Sequence, residues 1–339
     1  MPNKKNTVLI TAACILLPLI FIVLSLFVGR YDLSASEIFS ILFEPSKWMN
    51  DPEHAIEYSL VHEIRLPRAL LAFIVGGALS VSGGGLQGMF RNPLVDAGML
   101  GVSAGAGFGA CLGIILFGSS VMVYVLAFGF GLLAVILSYL TGKIYDSAPT
   151  VTLVLGGVVI SSIFGSLIAF IKFVADPMDK LPTITFWLMG SLSRANFQDM
   201  AVALVPITIG IIGIMLVRWQ VNVLSLGEKE AKTLGVNTGL CRMIMIASTS
   251  IATAGAVCIS GTIGWIGLII PHIVRMLVGN DNRILLPVSL SLGGCFLLVI
   301  DLIARSISST EIPLGVLTAL IGGPFFILIL KRTKGGGSW

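Results

Sequence analysis

Residues 69–90 read ALLAFIVGGALSVSGGGLQGMF, with no charged side chain in 22 consecutive positions. At 1.5 Å per residue a helix of this length is about 33 Å long, which matches a hydrocarbon layer about 30 Å thick. The run also carries Gly76, Gly77, Gly83, Gly84, Gly85 and Gly88. In water these would weaken a helix. Between membrane helices small residues let backbones approach closely.

The same pattern recurs on both sides. Apolar runs occupy about 7–28, 95–117, 120–142, 150–173, 199–219, 242–262, 265–279, 284–305 and 312–331, which makes about ten spans with the first one quoted. The whole chain of 339 residues is 56% hydrophobic and only 11% charged, with a mean hydropathy of +1.00. Soluble proteins are about 25% charged. So little polar surface could not cover a soluble fold of this size, which excludes a soluble enzyme, a disordered chain and a coiled coil. The sequence predicts an all-α polytopic protein of the cell membrane, solvated by lipid, with residues 1–339 forming one transmembrane unit.

Charge sets the expected orientation. With both termini inside, about 13 of the 21 basic residues fall in cytoplasmic segments, among them Lys4, Lys5, Arg91, Lys143, Arg218, Arg242, Arg283 and Lys331. The formal net charge of +4 therefore reads as a topological bias, not a nucleic-acid footprint. The polar stretch of about 30–68 then lies outside. Within it Ser34-Ala-Ser-Glu37 is a capping-box pattern ahead of Ile38, Phe39, Ile41 and Leu42, which predicts a short amphipathic helix.

Chemistry-bearing motifs are few. Gly83–Gly88 spells G-x-G-x-x-G, yet it ends an apolar run and follows no strand, so it predicts helix packing or a broken helix and no nucleotide site. No G-x-x-x-x-G-K-[ST] occurs. His54, His62 and His272 lack metal-ligand spacing, and the five cysteines lie in or beside apolar runs without a C-x-x-C pair. The expectation is no catalytic centre, no metal and no cofactor. Lys172, Asp199, Asp301 and Arg305 sit near span ends, so the interior offers no proton or ion relay, and energy for moving a solute would come from a partner.

Three loops stand out. In the cytoplasmic loop of about 220–240, Ser225-Leu-Gly-Glu228 reads as a second capping box, Glu228–Leu234 as a short helix and Gly235 as its C′ residue, a shape suited to docking a soluble subunit. On the outside, Arg65 and Arg68 bracket Leu66-Pro67, and Arg305 ends the ninth span, so the three cations could converge on acidic groups of a partner. Pro93 interrupts the chain between the second and third spans.

Taken in order, the pieces resemble the permease family of ABC importers for ferric siderophores, haem and cobalamin (FecCD/BtuC-type). The resemblance rests on Arg65-Leu-Pro-Arg68, Gln87, Phe90-Arg-Asn-Pro-Leu94, Trp187-Leu-Met-Gly-Ser191, Leu226-Gly227-Glu228 with Ala231 and Leu234-Gly235, Gly261–Leu268, Pro271-His272, Asp301 with Arg305, and Glu311–Gly315 with Pro324-Phe325. Ala97 and Trp265 depart from it, standing where the family usually has Pro and often Phe. The resemblance implies a type II importer fold of ten helices. It implies a pathway between two such chains, identical or paralogous. Two cytoplasmic ATP-binding subunits would dock on Gly227, Glu228, Ala231, Leu234 and Gly235. An extracytoplasmic binding protein would meet Arg65, Arg68 and Arg305. An inner gate would close near Asn92, Leu94 and Thr150. The implied cargo is a ferric siderophore, with cobalamin or haem as alternatives. A stand-alone secondary transporter is the reading from another class.

Overall fold

The computed structural model describes residues 4–29, 31–49, 54–142, 149–308 and 310–333, and the described residues are helical or in short turns, with no strand among them. Ten apolar helices form the bundle: α1 (Lys4–Phe27), α5 (Leu66–Phe90), α6 (Val102–Leu116), α7 (Ser120–Gly142), α8 (Pro149–Val174), α10 (Phe197–Leu224), α12 (Thr238–Ser260), α13 (Ile266–Val278), α14 (Asn282–Ser306) and α15 (Leu314–Thr333). Six of these segments are long and apolar enough to cross a membrane and four are shorter, in line with the ten runs of the sequence. Short helices decorate the ends: α2 (Ala35–Phe43), α3 (Pro45–Met49), α4 (Ala55–Ser59), α9 (Lys180–Met189) and α11 (Glu228–Thr233).

Helix α5 is the axis. Every residue from Val75 to Met89 is buried, and the triple glycine does not break the helix. The glycines are where neighbours come closest. A Cβ on Gly76 would collide with the Gly293 carbonyl of α14, and one on Gly83 with the Gly267 carbonyl of α13. Gly85 faces Met245 of α12, and Gly88 faces Val221 of α10. Four helices thus touch one backbone, and dispersion over this close contact replaces the hydrophobic drive that lipid cannot supply. Gly83→Ala is expected to force α5 and α13 apart and to cost about 1–3 kcal/mol, the range for overpacking. A thermal unfolding scan in detergent measures it, and an unchanged midpoint would refute the contact. The α6–α7 hairpin uses the same device at Gly105, Gly109 and Gly113, each against the α7 backbone.

Two local expectations change, and one boundary holds. The run 95–117 is not one helix: a 3-10 turn at Ala97–Leu100, capped by Asp96 onto Met99, precedes α6. Between the anticipated runs 242–262 and 265–279, residues Gly261–Trp265 are irregular, and α13 begins at Ile266 as expected, opposite Gly83 in the lower part of α5. Non-helical backbone is tolerated at depth because protein buries it. Helix α9 was not expected at all. Its end is pinned by Ser191 N–H to the Ser260 carbonyl and by Leu314 N–H to the Gly190 carbonyl, contacts invisible to local periodicity.

The outer stretch folds as anticipated around Ser34, whose capping box with Glu37 is complete. Ile38, Ile41, Trp48 and Val61 close a small core onto Leu26. A π-helical turn, Leu60–Arg65, then runs straight into α5. The exposed faces of α7 and α10 are apolar, with Val125, Ile136, Ile209 and Leu216 outward, as lipid requires.

Candidate coupling, gating and docking sites

The two ends of the bundle carry the candidate residues. At the expected inner end, α10 stops at Leu224 and Ser225 Oγ bonds back to the Val221 carbonyl (3.0 Å). Ser225 therefore caps the end of α10, and the anticipated capping box of α11 does not form. The N-cap is Gly227, at φ 138° and ψ 157°, a conformation that favours glycine. Glu228 is the first helical residue. Its carboxylate takes Arg242 Nη2 at 2.9 Å and Lys232 Nζ at 3.5 Å, which locks α11 to α12. The Arg242 guanidinium holds the Glu228 carboxyl below the usual carboxylate range. Ala231 is fully buried under α11.

The end of α11 is a Schellman stop. Gly235 N–H bonds the Lys232 carbonyl and Val236 N–H bonds the Ala231 carbonyl, both at 3.0 Å, with Gly235 at φ 78°. Buried Val236 and Ala231 supply the apolar contact of that motif. Gly227, Glu228, Ala231, Leu234 and Gly235 thus form one compact unit. Its outer crown is apolar: Leu226 is 63% and Leu234 59% exposed, and Leu240 and Met243 are exposed beside them. A pinned helix with an uncovered apolar crown is built to meet another protein.

The loop after α5 begins at Arg91, in the left-handed conformation (φ 53°). Asn92 Oδ1 then accepts Leu94 N–H at 2.9 Å, an Asx turn that leaves Asn92 and the Leu94 side chain exposed. Gln87, one turn earlier and buried, donates to the Gly267 carbonyl (3.0 Å) and accepts from Arg275 (3.3 Å). Thr150 stands in the first turn of α8, and its side chain lies outside the described residues.

At the expected outer end the three arginines are not free cations: Arg65, Arg68 and Arg305 are 3%, 6% and 9% exposed. Arg68 grips Asp301 (2.8 Å) and Glu311 (2.8 Å) with both faces of its fork. Arg305 donates to the Ser25 carbonyl (2.6 Å), and Arg65 donates to the carbonyls of Leu26 and Tyr31 (2.6 Å each). Three carboxylates answer the three guanidiniums: Asp301 and Glu311 on Arg68, and Asp32 through space on Arg65. The sequence reading placed these residues together and missed their partners. Asp301, one turn before Arg305, was the available signal. A cavity of about 480 Å³ is bounded by Tyr124, Lys180, Thr183, Trp187, Ser191 and Arg194.

The order of these pieces along the chain can be compared with known proteins. The profile described as the FecCD transport family matches residues 16–332. The chain belongs to that family. It is 40% identical over 326 residues to the molybdate import system permease protein MolB of Haemophilus influenzae, covering 95% of each. It is 38% identical over 327 residues to a probable iron chelatin transport system permease protein of Helicobacter pylori, covering 96% of this chain and 98% of the relative. A solved structure described as an inward-facing conformation of a putative metal-chelate type ABC transporter superposes with a TM-score of 0.84 at 38% identity, over 94% of this chain and 98% of that one. This FecCD-family chain is a multi-pass membrane permease of an ABC importer, a machine whose ATP-hydrolysing subunit is a separate chain.

Proposed function

We propose that this chain forms half of a transmembrane pathway that imports a ferric siderophore, driven by two ATP-binding subunits seated on α11. The pinned α11 with its exposed Leu226 and Leu234 is the observation that carries the docking. The second permease chain would cover the face of α8 that bears Ser162, Gly165 and Ser166, all exposed, with nothing within 4 Å of a Cβ placed on Gly165. Small residues and hydroxyls there suit a helix partner or a wet path better than lipid.

Between Thr152 and Ile171, and between Leu314 and Leu330, no ionisable residue occurs. A lining of this kind suits a bulky chelate that carries its charge inside its own ligand shell. A small oxyanion would call for cations or aimed N–H groups. Molybdate is the second reading, supported by the relative from Haemophilus influenzae. Arg65, Arg68 and Arg305 would serve the binding protein by exchange. An acidic partner group would replace Glu311, whose side chain is 28% exposed, on the Arg68 fork. The inner gate would close at Asn92 and Leu94, with Thr150 of the next cytoplasmic turn.

Uptake in a strain deleted for the gene tests the cargo. Labelled ferric hydroxamate, ferric catecholate, haem, cobalamin and molybdate are offered separately. Loss of one ferric siderophore, restored by the gene, is the expected result. Loss of molybdate alone, or of cobalamin or haem alone, would overturn the ferric reading in favour of that cargo.

A further inference from the structure

Three helices that lead to different functional elements meet at one polar point. Asn222 lies in the last turn of α10, five residues before Gly227. Its Nδ2 donates to Asp281 Oδ1 at 2.6 Å. Its Oδ1 accepts both the backbone N–H and the Nδ2 of Asn282, each at 2.8 Å. Asp281 is the N-cap of α14 and bonds Arg283 N–H at 3.0 Å. The bonds to Arg283 pull the Asp281 carboxyl down to about 2, so it stays an acceptor throughout the physiological range.

The point is also steric. A Cβ on Gly88 of α5 would sit 3.0 Å from Asn282 Oδ1 and 2.8 Å from Val221 of α10. Gly88 lies in the last turn of α5, immediately ahead of the Arg91–Leu94 loop. Asn282 is 3% exposed, yet its Oδ1 has no hydrogen-bond partner. Flipping the amide would not help, because it would place Oδ1 against Asn222 Oδ1. A buried acceptor left open marks a place where this arrangement is held by its surroundings and another could supply a partner.

We propose that Asn222 is a positioning residue for energy coupling, tying the end of α10 to the start of α14 and the end of α5 so that motion of α11 reaches the Asn92–Leu94 loop. It rests on the reading of α11 as the docking helix. An amide suits the task because it offers a donor to Asp281 and an acceptor to Asn282 in one rigid plane. Residues that share such a junction can pass a displacement between the elements as one body. Helix α14 extends the link, since its far end carries Asp301 and Arg305 of the outer cluster.

The test uses the permease purified with its ATP-binding subunit, with the five cysteines replaced by alanine and a single reporter, Leu94→Cys. Maleimide labelling of the reporter is timed without nucleotide and with ADP–vanadate. The response in the otherwise unaltered complex is expected to be several-fold, and Asn222→Leu should reduce it to less than about twofold with ATP hydrolysis retained. Asn222→Asp should fail likewise. A response that survives Asn222→Leu or Asn222→Asp would overturn the proposal, as would a loss of response that only accompanies lost ATP hydrolysis. If the ATP-binding subunit does not co-purify even with the unaltered permease, the docking role of α11 fails instead.

Discussion

Gly235→Val is expected to abolish transport while the protein still inserts and folds its ten spans. Gly235 sits at φ 78° at the end of α11, where an L-residue costs about 1–2 kcal/mol and a β-branched one more. No atom lies within 4 Å of a Cβ built there, so the defect is conformational and local. The two 3.0 Å bonds that stop α11 would break, and Leu234 would leave the crown it shares with Leu226. Co-purification of the ATP-binding subunit should fall at least about tenfold, since one misplaced helix of this size carries the docking. Unchanged membrane yield with lost co-purification is the expected pair of readings. Normal transport by the variant would show that α11 is not the docking helix.

Arg68→Met has the largest expected cost in stability. Asp301 is 1% exposed and would lose its fork, keeping only Arg305 Nε at 3.6 Å. Removing one partner of a buried pair costs about 3–5 kcal/mol, because the remaining charge stays uncompensated. The cost should appear as a lower unfolding temperature in detergent and a lower yield. Arg68→Lys keeps the charge but cannot hold Asp301 and Glu311 together, so its effect should be smaller in stability. Its effect on binding-protein affinity reads the exchange at Glu311 separately. A binding protein that still docks with full affinity to a stably folded Arg68→Lys permease would remove the cluster from the docking surface. No loss of stability in Arg68→Met would show that the buried pair contributes nothing net.

Much of the architecture is written as composition and period. The ten apolar runs needed no tertiary information, because a bilayer forces each span to satisfy its own backbone and to be apolar over a set length. The box at Ser34 and the glycine stop at Gly235 were equally legible, since caps are local hydrogen bonds between residues three to five apart. The second box was misread for the same local reason: Ser225 has the right spacing to Glu228, but α10 runs on to Leu224 and claims the serine for its own end. Helix α9 was missed because Pro182 and its polar flanks give it no span-length signal.

What the sequence by itself determined is the class of protein, the number of spans, the ordered motifs that mark the FecCD transport family and the place of α11 between two spans. The tertiary structure decided what each polar residue does. Arg68, 233 residues from Asp301 along the chain, is buried against it, so a cation that reads as free is already engaged. Asn222 meets Asp281 across 59 residues and Gly83 meets Gly267 across the α5–α13 crossing. Such pairings are set by which helices pack together. A single span's periodicity shows which residues are apolar, but the partner of a buried charge or amide is fixed only when a distant helix arrives beside it.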